Sequence, residues 1–144
     1  MRDAISNWQV KRVISPVSTA DNTATVGQAI DGLGFDSVSY IIATGSLADA
    51  DATFTPLLEE SADNSSWSAV ADADMVSQTS GTAPETAAAF QFDDDNEVRK
   101  IGYIGTKRYT RLTITPANNA SAGLWSAVAI LSRASRVPIT QAAA

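Results

Sequence analysis

Asp36-Ser37-Val38-Ser39-Tyr40-Ile41-Ile42-Ala43-Thr44 decides the fold class. On an extended backbone Val38, Tyr40 and Ile42 share one side, with Ser37 and Ser39 opposite. That period of two marks a strand with one dry face. Arg108–Thr115 repeats the pattern, with Leu112 and Ile114 against Tyr109, Arg111 and Thr113. Leu124–Arg133 is apolar on both sides, setting Leu124, Val128 and Ile130 against Trp125 and Leu131. Such a strand is central and covered on both faces, or lies in an interface.

Working outward, short β-branched and aromatic runs recur between Gly, Pro, Asn, Asp and Ser clusters. They predict further strands near Asn7–Ile14, Thr23–Ile30, Ala52–Glu59, Trp67–Ala71, Thr86–Phe92 and Glu97–Ile104. No apolar period of 3.6 is sustained along the chain, and Pro84 with the alanines after it leaves Thr82–Ala89 open between strand and helical turn. Asp63-Asn64 suits a tight turn, so its flanks should form a hairpin, with Trp67 capping the core edge on the return strand. Gly32-Leu33-Gly34 lacks the remainder of a dinucleotide fingerprint and reads as a turn. The expected fold is all-β: an antiparallel β-sandwich of jelly-roll type with eight to nine strands. One domain should span 1–144, with short flexible arms at about 1–7 and 137–144.

The chain of 144 residues has no histidine and no cysteine. Imidazole-based triads, thiolate nucleophiles, disulfides and the common zinc sites are therefore excluded. Glu59 and Glu60 are adjacent on a strand, so they point to opposite faces and cannot flank one glycosidic bond. Asp93-Asp94-Asp95 with Glu97, and Asp49 with Asp51, offer oxygen ligands but no EF-hand spacing, and read as solvated turns. No enzyme activity, cofactor or metal is expected. Neither a signal-peptide run nor a span-length apolar stretch is present, so the chain reads as soluble and made in the cytoplasm.

Charge is sorted along the chain. Residues 13–98 carry fifteen acids and no base, whereas 99–144 carry seven bases and no acid. Lys11 and Arg12, with Arg2, add bases at the N-terminus. Gly102 and Gly105 bracket Tyr103-Ile104, and Gly105-Thr106 should link two base-bearing strands. Lys107, Arg108 and Arg111 would then lie near Arg99 and Lys100. Such a cluster must meet acids, either the chain's own acidic middle or those of a neighbour. The expectation is the neighbour, with Trp8, Lys11, Arg12, Arg99, Lys100, Lys107, Arg108 and Arg111 as interface residues. Trp8 would anchor an N-terminal arm. Nucleic acid is not expected, because a pI near 4.4 departs from the basic footprint of its binders.

The Asp63-Asn64-x-x-Trp67-x-x-Val70 hairpin, with Arg108-Tyr109-Thr110-Arg111-Leu112, is similar to discoidin-type jelly rolls, without their cysteines. A wider set resembles small virion proteins of tailed bacteriophages. It comprises Gly34-Phe35-Asp36-Ser37, Leu58-Glu59-Glu60-Ser61 with the Trp67 hairpin, Gly102-Tyr103-Ile104-Gly105-Thr106-Lys107-Arg108-Tyr109, and Ala127-Val128 through Arg133. This resemblance implies a capsid decoration (cement) protein on the virion surface that binds the major capsid protein and itself, as a trimer, made in the bacterial host. The alternatives are a carbohydrate-binding jelly roll of a host-recognition device, which a free Trp67 or Trp125 in a groove would favour, and a head–tail connector or tail component.

Overall fold

The computed structural model describes residues 3–139 and shows two antiparallel sheets packed face to face. The first sheet contains β1 (Trp8–Thr19), β11 (Gly123–Ala134), β4 (Phe35–Leu47), β9 (Val98–Tyr103) and β7 (Met75–Ser77), in that spatial order. The second runs β2 (Thr25–Val26), β10 (Tyr109–Ala117), β5 (Thr53–Ser61), β6 (Ser68–Ala69). Two short strands join it: β3 (Ile30–Asp31) pairs with β10, and β8 (Phe90–Gln91) pairs with β5. One short helix, α1, covers Pro84–Ala87.

With β2 and β3 taken as one strand, the pairing is nested. β1 lies beside β11, β2/β3 beside β10, β4 beside β9, and β5 beside β6. This is the two-Greek-key order of a jelly roll. Its early half lies against its late half, so acids and bases far apart in sequence become neighbours.

The expected alternations hold. Val38, Tyr40 and Ile42 are buried, as are Leu112 and Ile114, and from β11 Trp125, Ala127, Ala129 and Leu131 point into the same core. Tyr40 is fully buried and donates its hydroxyl proton to Thr110 Oγ1 across the sandwich at 2.7 Å, so its polar tip costs little. Asn64 takes the left-handed conformation (φ 59°), and the Asp63 carboxylate accepts the backbone N–H of Ser65 and Ser66, closing the expected β5–β6 hairpin.

Several expected elements differ. Eleven strands form among the described residues, not eight or nine, because one predicted run splits in two and one strand, β7, was not foreseen. Thr23–Ile30 breaks at Gly27, where the chain leaves β10 for three residues before pairing with it again as β3. Gly27 N–H donates to Leu112 and the next amide, Gln28, donates to Val13 of the opposite sheet. A Cβ on Gly27 would lie 2.6 Å from the Leu112 oxygen, which only glycine avoids. Thr86–Phe92 is mostly the end of α1 and a turn, because Pro84 suits a first helical turn. Strand β7 was not foreseen; three residues are too few to show a period. The described parts of the two arms meet, with Ile139 N–H donating to the Ser6 carbonyl at 2.9 Å. The remainder of the arms, 1–2 and 140–144, lies outside the described residues.

Candidate functional site

The eight residues expected to form one interface are dispersed, and the reason is topological. The Gly105-Thr106 connection carries the chain from the first sheet into the second, so β9 and β10 are not neighbours. Arg99 and Lys100 therefore do not join Lys107, Arg108 and Arg111 in a patch.

Three of the cations are answered by acids of the same chain. Arg111 faces Glu59 across the β10–β5 ladder, donating Nε at 2.7 Å and Nη2 at 3.0 Å, and its guanidinium lies 4.4 Å from the Trp67 ring centre. Arg108 grips Asp31 in the same two-pronged way (2.9 and 2.7 Å) and covers Tyr109 at 4.8 Å. Arg99 pairs with Asp94 and Glu97 at 2.6 and 2.9 Å, donates to the Ala89 carbonyl, and stacks on Phe90 at 4.6 Å. A fork held by a carboxylate and backed by a ring is among the strongest ways to hold an arginine. The hydrogen bonds from Arg111 and Arg108 hold the Glu59 and Asp31 carboxyls below their ordinary ranges. Lys11 occupies an inward register position opposite Ala129, and its charge acts on Asp31 as well.

Trp67 is consequently not a free ring, and it does not cap the core edge as expected. It lies half-buried beneath Arg111 on the outer side of the second sheet. Trp125 is 3% exposed and packs on Phe54 with ring centres 5.1 Å apart. The Gly102–Gly105 pair serves close approach. A Cβ on Gly102 would press Val76 at 3.1 Å, and one on Gly105 would strike the Tyr103 ring. The Tyr103 hydroxyl accepts from Lys107 N–H and donates to Glu60 at 2.7 Å, fixing the turn that presents Lys107 and Arg108.

Arg12 and Lys100 lie elsewhere, on the outer face of the first sheet. Arg12 stands opposite Val128 and Lys100 opposite Ile41. Between them the face is built from Val128, Ile130, Ile41 and Ala43, with Leu124 and Val98 at one end, 43% and 65% exposed. Ser37, Ser39 and Ser126 fill intervening positions. No acid occupies an outward-facing position of these paired registers, although the chain carries sixteen. Three clefts of about 500, 360 and 210 Å³ indent its margins, the first lined by Asp3, Trp8, Ile130, Arg133 and Val137. The prediction for Leu124–Arg133 resolves here: β11 is central in its sheet, no further sheet covers its outer side, and Asp3–Asn7 and Val137 lie beside its Ile130–Ser132 end.

Seven of the chain's sixteen acids lie at one end of the sandwich. Asp21, Asp49, Asp51, Asp93, Asp94, Asp95 and Glu97 all lie in loops at that end, where Arg99 is the accompanying base. Several close loops rather than gather an ion. Asp95 accepts Leu47 N–H and Asp49 accepts Ala120 N–H, both at 2.6 Å, and no metal-holding carboxylate cluster occurs among the described residues. The Ala120 N–H and then a hydrogen bond shared with Asp51 lower the Asp49 carboxyl, and the same shared bond raises that of Asp51. Glu59 and Glu60 do point to opposite faces, toward Arg111 and Tyr103 respectively.

No family model matches the chain, and no curated protein matches it. Among solved structures it is similar to the PBSX exported protein XepA at 14% identity and a TM-score of 0.55, over 93% of this chain and 40% of that one. The chain thus spans about 40% of XepA's length, and the likeness is one of fold. Lower similarity joins it to the CBM22-1–GH10 modules of a Clostridium thermocellum xylanase complexed with xylohexaose (11% identity, TM-score 0.44, 95% of this chain and 28% of that one). It is similar at the same low level to a Bacillus endospore appendage protein (12%, TM-score 0.38, 92% and 96%). No described helix is long and apolar enough to cross a membrane.

Proposed function

We propose that this chain is a non-catalytic structural subunit of a tailed-phage particle, a decoration protein that adds to the major capsid shell. The observation that carries the proposal is the outer face of the first sheet, largely apolar and with no acid in its paired registers. Contiguous apolar surface of this kind marks protein contact sites. The sequence resemblance to small phage virion proteins supplies the setting. Attachment works by shape and by the exclusion of negative charge from the contact, with Arg12 and Lys100 at its margins setting register.

The carbohydrate-binding alternative loses its main support, since neither Trp67 nor Trp125 offers a free ring. Cosedimentation with shells assembled from the major capsid protein of the particle it is proposed to decorate tests the proposal. Saturable binding should occur, and Val128→Asp with Ile130→Asp should abolish it while circular dichroism stays unchanged. Absence of binding by the wild-type chain at micromolar concentration would refute the decoration role.

A further inference from the structure

We infer that the hollow over Gly102, on the outer face of the first sheet, receives a carboxylate side chain of the capsid shell, an aspartate or a glutamate held by Lys100. The inference rests on the reading of that face as the shell contact, and it names the chemistry that the shell must bring.

The hollow follows from register. Ile130, Ser39, Gly102 and Val76 stand opposite one another across β11, β4, β9 and β7, and so form one row on that face. The two outer members of the row are bulky, and the two inner ones are a serine and a glycine. Small residues between large ones leave a depression, here the cleft of about 360 Å³. A Cβ on Gly102 would come within 3.1 Å of Val76 Cβ, so the close approach of β7 keeps the floor bare. Ser37 and Ser39 line one side, and Lys100, two residues before Gly102 and on the same face, lines the other. None of the lining residues is acidic, and Asp74, two residues before Val76, is not among them.

Charge selects the occupant. Arg99, Arg108 and Arg111 are each held by carboxylates of this chain. Arg12, at the far margin of the face, donates to Ser15 Oγ at 2.7 Å and to the Gln28 amide oxygen at 2.8 Å. Lys100 has no such partner. Its backbone N–H is fixed by Gln78 Oε1 at 2.8 Å, but its ammonium makes no ion pair or hydrogen bond among the described residues. Nor do the hydroxyls of Ser37 and Ser39. A shell laid over this face takes all three groups out of water. A buried ammonium without a partner is costly, whereas a carboxylate answers it and can accept from the hydroxyls beside it. An aliphatic side chain would fill the space and leave the charge unanswered. Because this chain keeps its own acids out of these registers, a carboxylate from the shell meets no like charge there.

Zero-length carbodiimide cross-linking of the full chain bound to capsid shells tests the contact, because it joins only an amine and a carboxylate that touch. The lysines of this chain are Lys11, Lys100 and Lys107. Mass spectrometry should find Lys100 joined to an aspartate or glutamate of the shell protein. Lys100→Met should weaken shell binding about tenfold or more and flatten its salt dependence, while Lys100→Arg keeps most of the affinity. Ser39→Phe, which fills the hollow, should abolish binding with circular dichroism unchanged. Cross-links confined to Lys11 or Lys107 would overturn the inference. So would shell binding that is lost in Val128→Asp with Ile130→Asp yet is unchanged in Lys100→Met and in Ser39→Phe, a result that leaves the decoration role standing. Failure of the wild type to bind shells at micromolar concentration would overturn both.

Discussion

At Arg111 a side chain that looks free in sequence is held on three sides: by both oxygens of Glu59, by the Trp67 ring and by its place in a ladder. Removing it leaves Glu59, which is largely shielded from water, without its partner. Arg111→Ala should therefore destabilise the fold by about 1–2 kcal/mol, read as a shift in urea midpoint. Lys100→Ala, on the exposed face, should change stability by less than about 0.5 kcal/mol. The same pair predicts a pH effect. The Glu59 carboxyl is held below its ordinary value of 4.5 by Arg111, and that of Asp31 below 3.8 by Arg108. A depressed folded value means the contribution is complete above the ordinary value and is lost as pH falls through the folded one. Acid should thus weaken the wild type below about pH 4.5, and the Arg111→Ala variant should lose less over that window in pH-dependent urea titrations. Reversing Arg108 and Arg111 to Glu would set each against its own carboxylate and loosen the fold itself, so that change does not isolate an interface. Pairing was invisible in sequence because Arg111 and Glu59 are 52 residues apart.

At the scale of elements, β5 shows how local rules were met in unforeseen ways. Its outer edge pairs with β8 at Thr53–Phe54 and with β6 at Glu59–Glu60, which leaves a gap between them. Pro56, which has no N–H to offer, occupies that gap, and the Leu58 N–H inside it is answered by Glu85 from α1 at 2.6 Å. Burial raises the Glu85 carboxyl above its ordinary range. Glu85→Ala should cost about 1–3 kcal/mol by leaving the Leu58 N–H without its acceptor, and amide exchange at Leu58 should accelerate. Gly27→Ala should be similarly costly, about 1–3 kcal/mol in urea unfolding, because the added methyl meets the Leu112 carbonyl and Val13 at the break between β2 and β3. The long strands were legible: the alternations at Val38–Ile42 and Leu112–Ile114 translate directly into buried positions. The short ones were not, since β2, β3, β6 and β8 have two residues each and are placed by partners distant in sequence.

For the whole molecule, nested pairing turns a chain sorted by charge into one sorted by place. Bases of β10 and the turn before it meet acids of β5 and β3, which uses up Arg108 and Arg111 internally. What remains is a loop end with seven acids and a sheet face whose paired registers hold none, neither apparent from a linear count of charges. The jelly-roll class could be read from strand spacing, and the both-sided apolarity of Leu124–Arg133 did signal either cover or an interface. That β11 would be a central strand with no further sheet over it depends on its neighbours β1 and β4, which only the topology supplies. The central claim is that this chain acts by burying the outer face of its first sheet against protein. Hydroxyl-radical footprinting of the free and the shell-bound chain tests it most directly. Leu124, Val128, Ile130 and Ile41 should become protected on assembly while Tyr109 and Trp67 keep their labelling. Protection at Tyr109 and Trp67 with Leu124, Val128, Ile130 and Ile41 still labelled would contradict it.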